Sequence, residues 1–202
     1  WYRQLDEQYQ QLKVVNGGMT DSEDSLQLIL LSADGLFDPA AWHQQNKTVV
    51  LINNGIHPGE PDGIDASMML VRDIKTGKIK LPDNVVLGII PVYNIGGCLN
   101  RNSSTRVNQN GPEEYGFRGN SQNLDLNRDF TKCDSKEAKT FAKIFHYVNP
   151  EIFLDTHVSD GADYQHTMTL ITTQYDKLGT IAGNWLKKQF EPAVYNDMSA
   201  KG

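Results

Sequence analysis

His57 and Glu60 stand three residues apart in Asn54-Gly55-Ile56-His57-Pro58-Gly59-Glu60-Pro61, a polar turn directly after the apolar run Thr48–Asn53. A tight turn can aim both side chains at one point. Pro58 and Pro61 fix φ, and Gly59 lets the backbone bend between the two polar residues. An imidazole and a carboxylate are two of the three protein ligands of a His2Glu catalytic zinc site, whose fourth position holds water. Zinc in such a site draws the pKa of that water towards neutrality. The spacing also arises by chance, with the imidazole serving only backbone groups, so a third ligand is required. His157, at the end of the apolar stretch Ile152–Thr156, is the expected one. His166, His146 and His43 compete, and of these only His166 also sits at a sheet edge.

Between Glu60 and His157 lies Arg118-Gly119-Asn120-Ser121-Gln122-Asn123-Leu124-Asp125-Leu126-Asn127-Arg128-Asp129-Phe130. A guanidinium fork binds a carboxylate in a fixed bidentate geometry that lysine cannot reproduce. Asn127, beside Arg128, can donate an amide N–H to the same anion. A second arginine near a metal can polarise a carbonyl and stabilise its oxyanion. Taken alone, the segment reads as a solvated loop whose arginines pair with nearby acids such as Asp125 and Asp129.

The order of these motifs carries a resemblance. His57 and Glu60, then Arg118, then Asp125-Leu126-Asn127-Arg128, then His157 resembles the zinc carboxypeptidases of the carboxypeptidase A type, from about Thr48 to Leu170. The resemblance implies that His57, Glu60 and His157 bind one Zn2+ per chain. It implies that Arg118 polarises the scissile carbonyl, and that Asn127 and Arg128 hold the terminal carboxylate of a peptide. Asp125 is implied to accept a hydrogen bond from the far ring nitrogen of His57. Asn94-Ile95-Gly96-Gly97 departs from the Asn-Pro-Asp-Gly turn of that family.

The implied activity is hydrolysis of C-terminal peptide bonds. The alternatives are an amidase or deacylase on the same scaffold, and a catalytically inactive relative that binds zinc or peptide. The glutamate general base of the family lies on a late strand, well past the third ligand. Only 45 residues (202 minus 157) follow His157, and Glu191 is the sole glutamate among them. Glu191 reads as an exposed or capping carboxylate. The base is therefore expected beyond Gly202, and the 202-residue chain is expected to bind zinc with slow turnover or none.

Several elements must position these residues. Tyr2, Leu5, Tyr9 and Leu12 have helical spacing, ended by Asn16-Gly17-Gly18. Strands are expected at Leu26–Ala33, Thr48–Asn53, Val85–Val92, Ile152–Thr156 and Thr167–Thr172. Helices are expected from Asp62, with Ile64, Met68 and Val71 on one face, and after Asp134-Ser135-Lys136-Glu137, a capping box with Asp134 as the cap. A last helix is expected near Gln174–Phe190. The polar connection Asn94–Arg128 is long enough to be functional. Strands alternating with helices predict an α/β fold: a central mixed, mostly parallel sheet with helices on both faces, incomplete in this chain. Residues 1–202 are expected to form a single catalytic domain truncated at its C-terminal end, its functional loops leaving the C-terminal ends of the strands.

Composition narrows the partners. With 39% hydrophobic and 22% charged residues the chain is an ordinary globular one. A formal net charge of -6 disfavours nucleic acid and anionic membranes. No apolar run approaches the roughly 20 residues of a membrane span. The expected partner is a peptide or another carboxylate-bearing substrate. Cys98 and Cys133 can pair or remain thiols, and neither has a neighbour at metal-binding spacing. No export signal is visible after Trp1, and a secreted or periplasmic location rests on the resemblance alone. Oligomeric state is not legible.

Overall fold

The apolar runs of the sequence become strands of one sheet in the computed structural model, which describes residues 1–106, 109, 112–159, 164–165 and 167–201. The chain divides into two compact units, Trp1–Gly161 and Ala162–Gly202. In chain order the first contains α1 (Tyr2–Gln8), β1 (Leu12–Met19), β2 (Ser25–Ser32), α2 (Pro39–Gln44), β3 (Thr48–Asn53) and α3 (Asp62–Lys75). Then come β4 (Val85–Ile90), α4 (Ile95–Leu99), the short ribbon strands β5 (Arg101–Asn102) and β6 (Tyr115–Gly116), α5 (Lys136–Val148) and β7 (Ile152–Asp155).

The five-stranded sheet has the order β1-β2-β4-β3-β7. The pairs β1/β2 and β2/β4 are antiparallel, whereas β3/β4 and β3/β7 are parallel. Asn53, the last residue of β3, stands level with Ile90 on one side and Asp155 on the other. The chain therefore leaves β4, β3 and β7 side by side at one edge of the sheet. These three exits carry residues 94–128, the turn 54–61 and His157.

Side chains alternate across each strand, so the two faces of β2 bury different sets. Leu28 and Leu30 join Leu51, Trp42 of α2 and Phe141, Ile144 and Val148 of α5. Ile29 and Leu31 join Ile52, Ile89 and Val71 of α3, with Tyr2 and Leu5 of α1 packed alongside. Helices thus cover both faces. Burying a leucine of this kind stabilises by about 1.5–3 kcal/mol.

Three local expectations change. The first helix ends at Gln8, and Asn16-Gly17-Gly18 lies inside β1, where the register with β2 shifts between Asn16 and Gly18. The ladder to β2 outweighs the helical spacing, because Val14 and Val15 are β-formers opposite Ile29 and Leu28. The cap of α5 is Ser135, not Asp134: its Oγ accepts from Ala138 N at 3.0 Å. Thr167–Thr172 is not a strand, and Met168 and Ile171 are exposed there with no ladder partner among the described residues.

The second unit holds a 3-10 turn (Tyr175–Leu178), α6 (Gly179–Trp185), a π-helical turn (Leu186–Phe190) and α7 (Glu191–Lys201). The helical path continues past Pro192, because proline is tolerated in the first turn of α7. Glu191 is engaged within this unit, accepting from Thr172 Oγ1 and from Tyr175 OH. No helix among the described residues is long and apolar enough to cross a membrane.

Candidate metal centre and anion clamp

The turn after β3 is pinned to the exit of β4 by backbone bonds. Asn54 N donates to Ile90 O, Tyr93 N to Asn54 O and Asn94 N to Gly55 O, at 3.1, 2.8 and 3.1 Å. A further bond, Glu60 N to His57 O at 2.9 Å, closes the turn and sets the two side chains against each other. His57 Nδ1 lies 3.1 Å from Glu60 Oε1. On the neighbouring strand, Thr156 Oγ1 donates to Asn54 Oδ1 at 2.9 Å and brings the next residue inward. Gly63, in the first turn of α3, makes this approach possible: a Cβ there would lie 2.0 Å from Thr156 Oγ1. His157 Nδ1 then lies 3.0 Å from Glu60 Oε2, and Val158 N donates to the same oxygen at 3.2 Å.

One ligand atom from each of His57, Glu60 and His157 lies within 4.8 Å of the others. His57 and Glu60 are buried, and the His157 side chain is 31% exposed, so the cluster has one open side. Each imidazole is held from behind by a carboxylate. His57 Nε2 donates to Asp125 Oδ1 at 3.1 Å, and His157 Nε2 to Asp155 Oδ2 at 2.9 Å. Asp155 in turn accepts from Asn53 Nδ2 at 3.0 Å across the β3/β7 ladder. With both Nε2 atoms so engaged, both Nδ1 atoms face Glu60.

The electrostatics keep Glu60 an anion among its hydrogen-bond donors. Burial works against ionising Glu60, but hydrogen bonds from His157, His57 and Arg106 hold it well below the usual carboxylate range. The His157 imidazolium is favoured by Asp155 and then Glu60, which push its pKa up to about 9 against the opposing effect of burial. The His157 imidazolium and the Arg106 guanidinium supply positive charge beside Glu60. Two nitrogens and a carboxylate, aimed inward and oriented by outer carboxylates, are the donor set that suits zinc.

Asp125 joins the cluster to the arginine loop. Its carboxyl, low despite burial, accepts from His57 and from Arg118 Nε, the latter at 3.0 Å. It also caps the 3-10 turn Leu126–Arg128 by accepting from Asn127 N at 3.0 Å. Arg128 is exposed, and its Nη1 donates to the Asn127 carbonyl at 3.0 Å. Among the described residues no carboxylate pairs with Arg128. Asp129 is turned away, accepting from Asp134 N, Ser135 N and Ser135 Oγ at the start of α5. Arg118 thus pairs with an acid of its own loop, whereas among the described residues Arg128 and Asp129 do not pair with each other.

His43 lies elsewhere, against the Val148 carbonyl and Glu151, and His146 is on α5; neither joins the cluster. His166 lies outside the described residues. Three participants escape a reading by motif. Asp155 precedes His157 by two, a spacing that could have marked it. Asn94 joins the ligand turn to the arginine loop, donating from Nδ2 to Arg118 O at 3.0 Å and to Ile56 O at 3.4 Å. Arg106 reaches Glu60 from a loop with no periodicity, and nothing in its spacing signals this.

The family model described as zinc carboxypeptidase matches residues 1–176. No curated protein matches the chain. Among solved structures, a metallo-carboxypeptidase from Burkholderia cenocepacia has a TM-score of 0.62 at 22% identity, covering 87% of this chain and 45% of that one. The carboxypeptidase A of Helicoverpa armigera follows with 0.57 at 19% identity, covering 77% and 43%. A metallo-carboxypeptidase from Pseudomonas aeruginosa, solved with (2-guanidinoethylmercapto)succinic acid, gives 0.56 at 15%, covering 80% and 39%. At such identities the likeness is one of fold. The chain spans less than half the length of each of these three relatives.

Proposed function

Because the chain belongs to the zinc carboxypeptidase family, we propose that it carries the metal ligands and the carboxylate clamp of an enzyme that hydrolyses C-terminal peptide bonds. The observation behind this reading is the convergence of His57, Glu60 and His157 within 4.8 Å, with Asp125 and Asp155 behind the imidazoles. Residues 1–202 are read as part of one catalytic domain. His57, Glu60 and His157 would hold one Zn2+, which when bound supplies Lewis acidity towards a carbonyl and a water of lowered pKa.

The chain's own residues do the rest. Asp125 and Asp155 keep both imidazoles in the Nε2–H tautomer, so Nδ1 is the ligating atom. Arg118, anchored by Nε on Asp125, offers its remaining N–H groups to a developing oxyanion. Arg128, which has no carboxylate partner among the described residues, takes the terminal carboxylate of the substrate as a bidentate anion, with the Asn127 amide beside it.

The test is binding, with two arms. Zinc titration of the purified protein is expected to give one site per chain. His57→Ala is expected to weaken it by more than the roughly 10–100-fold that an outer partner controls. Arg128→Ala is expected to weaken binding of a peptide with a free C-terminus, leaving its C-terminally amidated form unchanged. A wild-type protein that holds no zinc, or that binds both peptide forms alike, overturns the reading.

A further inference from the structure

The described residues 101–106, 109 and 112–116 form a strap against the ligand turn. Its ends pair as β5 and β6, with Arg101 opposite Gly116 and Asn102 opposite Tyr115. Asn102 Oδ1 accepts from Ser104 N and Thr105 N, turning the chain back towards the sheet. Arg106 N donates to Tyr115 OH at 2.9 Å, fixing the point where the arginine leaves the strap. Contacts then fall on three consecutive residues of the turn. Gly116 packs so closely on Pro58 that a Cβ would lie 2.5 Å from the proline Cβ. Gln109 Nε2 donates to Gly59 O at 2.9 Å. Arg106 Nη2 donates to Glu60 Oε1 at 2.9 Å, and Arg106 Nε donates to Gln109 Oε1.

The guanidinium fork is thus used at two places at once, on the ligand carboxylate and on the amide that holds the ligand turn. A lysine has one nitrogen and cannot span both. The side chain is 12% exposed, so this ion pair is only weakly screened.

We infer that Arg106 is a positioning residue of the metal centre: through the strap it fixes the carboxylate of Glu60 in the orientation that faces His57 and His157. The inference rests on the metal-centre reading above and assigns no contact between Arg106 and substrate. Two opposing effects decide its sign. The guanidinium repels a dication, and it also removes the rotamer freedom that Glu60 would otherwise lose when the metal arrives. The carboxylate would stand between the guanidinium and a bound dication, so orientation would win, as it does for outer partners of metal ligands generally.

The experiment is a competition titration of zinc against a chromophoric chelator, for the wild type, Arg106→Ala, Arg106→Lys and the distant control Arg72→Ala. Arg106→Ala is expected to lose about 10–100-fold in affinity, Arg106→Lys to recover part of it, and Arg72→Ala to match the wild type. The visible spectrum of the cobalt(II) form is expected to change in Arg106→Ala, because the ligand carboxylate can then reorient. That signature does not respond to a merely structural loss of stability. Unchanged or tighter zinc binding in Arg106→Ala, with an unaltered cobalt spectrum, overturns the inference and leaves the metal centre intact. A wild type without zinc overturns both. Should Arg106→Ala not fold, Arg106→Lys decides: wild-type affinity and spectrum in that variant refute the need for the fork.

Discussion

At the scale of single residues, Glu60 is a carboxylate shared by two imidazoles and a guanidinium, and His157 holds a proton that a metal must displace. The His157 pKa is raised from 6.5 to about 9, by Asp155 first and Glu60 second. A raised folded value means that this group adds stability fully below the unfolded pKa near 6.5. That stability is lost as pH rises through about 9. Zinc binds only the neutral ring, so its apparent affinity is expected to climb with pH up to about 9 and then flatten. Calorimetric titration at neutral pH, in buffers of different ionisation enthalpy, is expected to show release of about one proton per zinc. Proton release that does not fall between pH 7 and pH 10 would sink this account of His157.

At the scale of elements, Asn120 ties the turn between β1 and β2, the start of α5 and the arginine loop together. Its Nδ2 donates to Asp21 Oδ2 at 3.2 Å and to Glu137 Oε2 at 3.3 Å, while its Oδ1 accepts from Gln122 N and Leu124 N. Glu137 is fully buried, and its Oε1 has no hydrogen-bond partner among the described residues. Burial above all, with Asp21 beside it, raises the Glu137 pKa above the ordinary 4.5. Stability therefore falls as pH rises from the unfolded value through the raised one, where a buried carboxylate must ionise. Glu137→Gln keeps the shape, removes the charge and places an amide N–H towards Asp21. It is expected to stabilise the protein at neutral pH by about 1–2 kcal/mol and to have little effect near pH 4. Denaturant unfolding at both pH values reads this out, and equal stability of the two proteins at neutral pH would contradict it.

At the scale of the whole molecule, the candidate metal ligands follow two neighbouring strands, β3 and β7, which pair in parallel. His57 and Glu60 follow β3, His157 follows β7, and a bound ion would clip the two exits to each other. A ligand that binds only the folded chain stabilises it by mass action, about 2.7 kcal/mol at one hundred times Kd. Zinc at that excess is expected to raise the unfolding midpoint by roughly 5–10 °C for a chain of this size. The shift is expected to vanish in His57→Ala, and a midpoint indifferent to zinc in the wild type argues against a clip across β3 and β7.

What the sequence determined by itself is what is local or strongly patterned. Four of the five sheet strands and the helices α3 and α5 follow from apolar runs and caps, and the facing of His57 and Glu60 follows from a turn that sets them three residues apart. β1 was hidden, because Tyr2, Leu5, Tyr9 and Leu12 repeat at helical spacing while its identity as a strand depends on β2 lying beside it. The tertiary structure decided how distant residues meet, a meeting that the motif order only implied for His157 and did not signal for Arg106. His157 meets Glu60 across 97 residues because β3 and β7 pair with Asn53 level with Asp155. Arg106 meets Glu60 across 46 because the β5–β6 ribbon folds back over the turn. Strand register and loop closure are set by the sum of many contacts, and no motif around either residue encodes them.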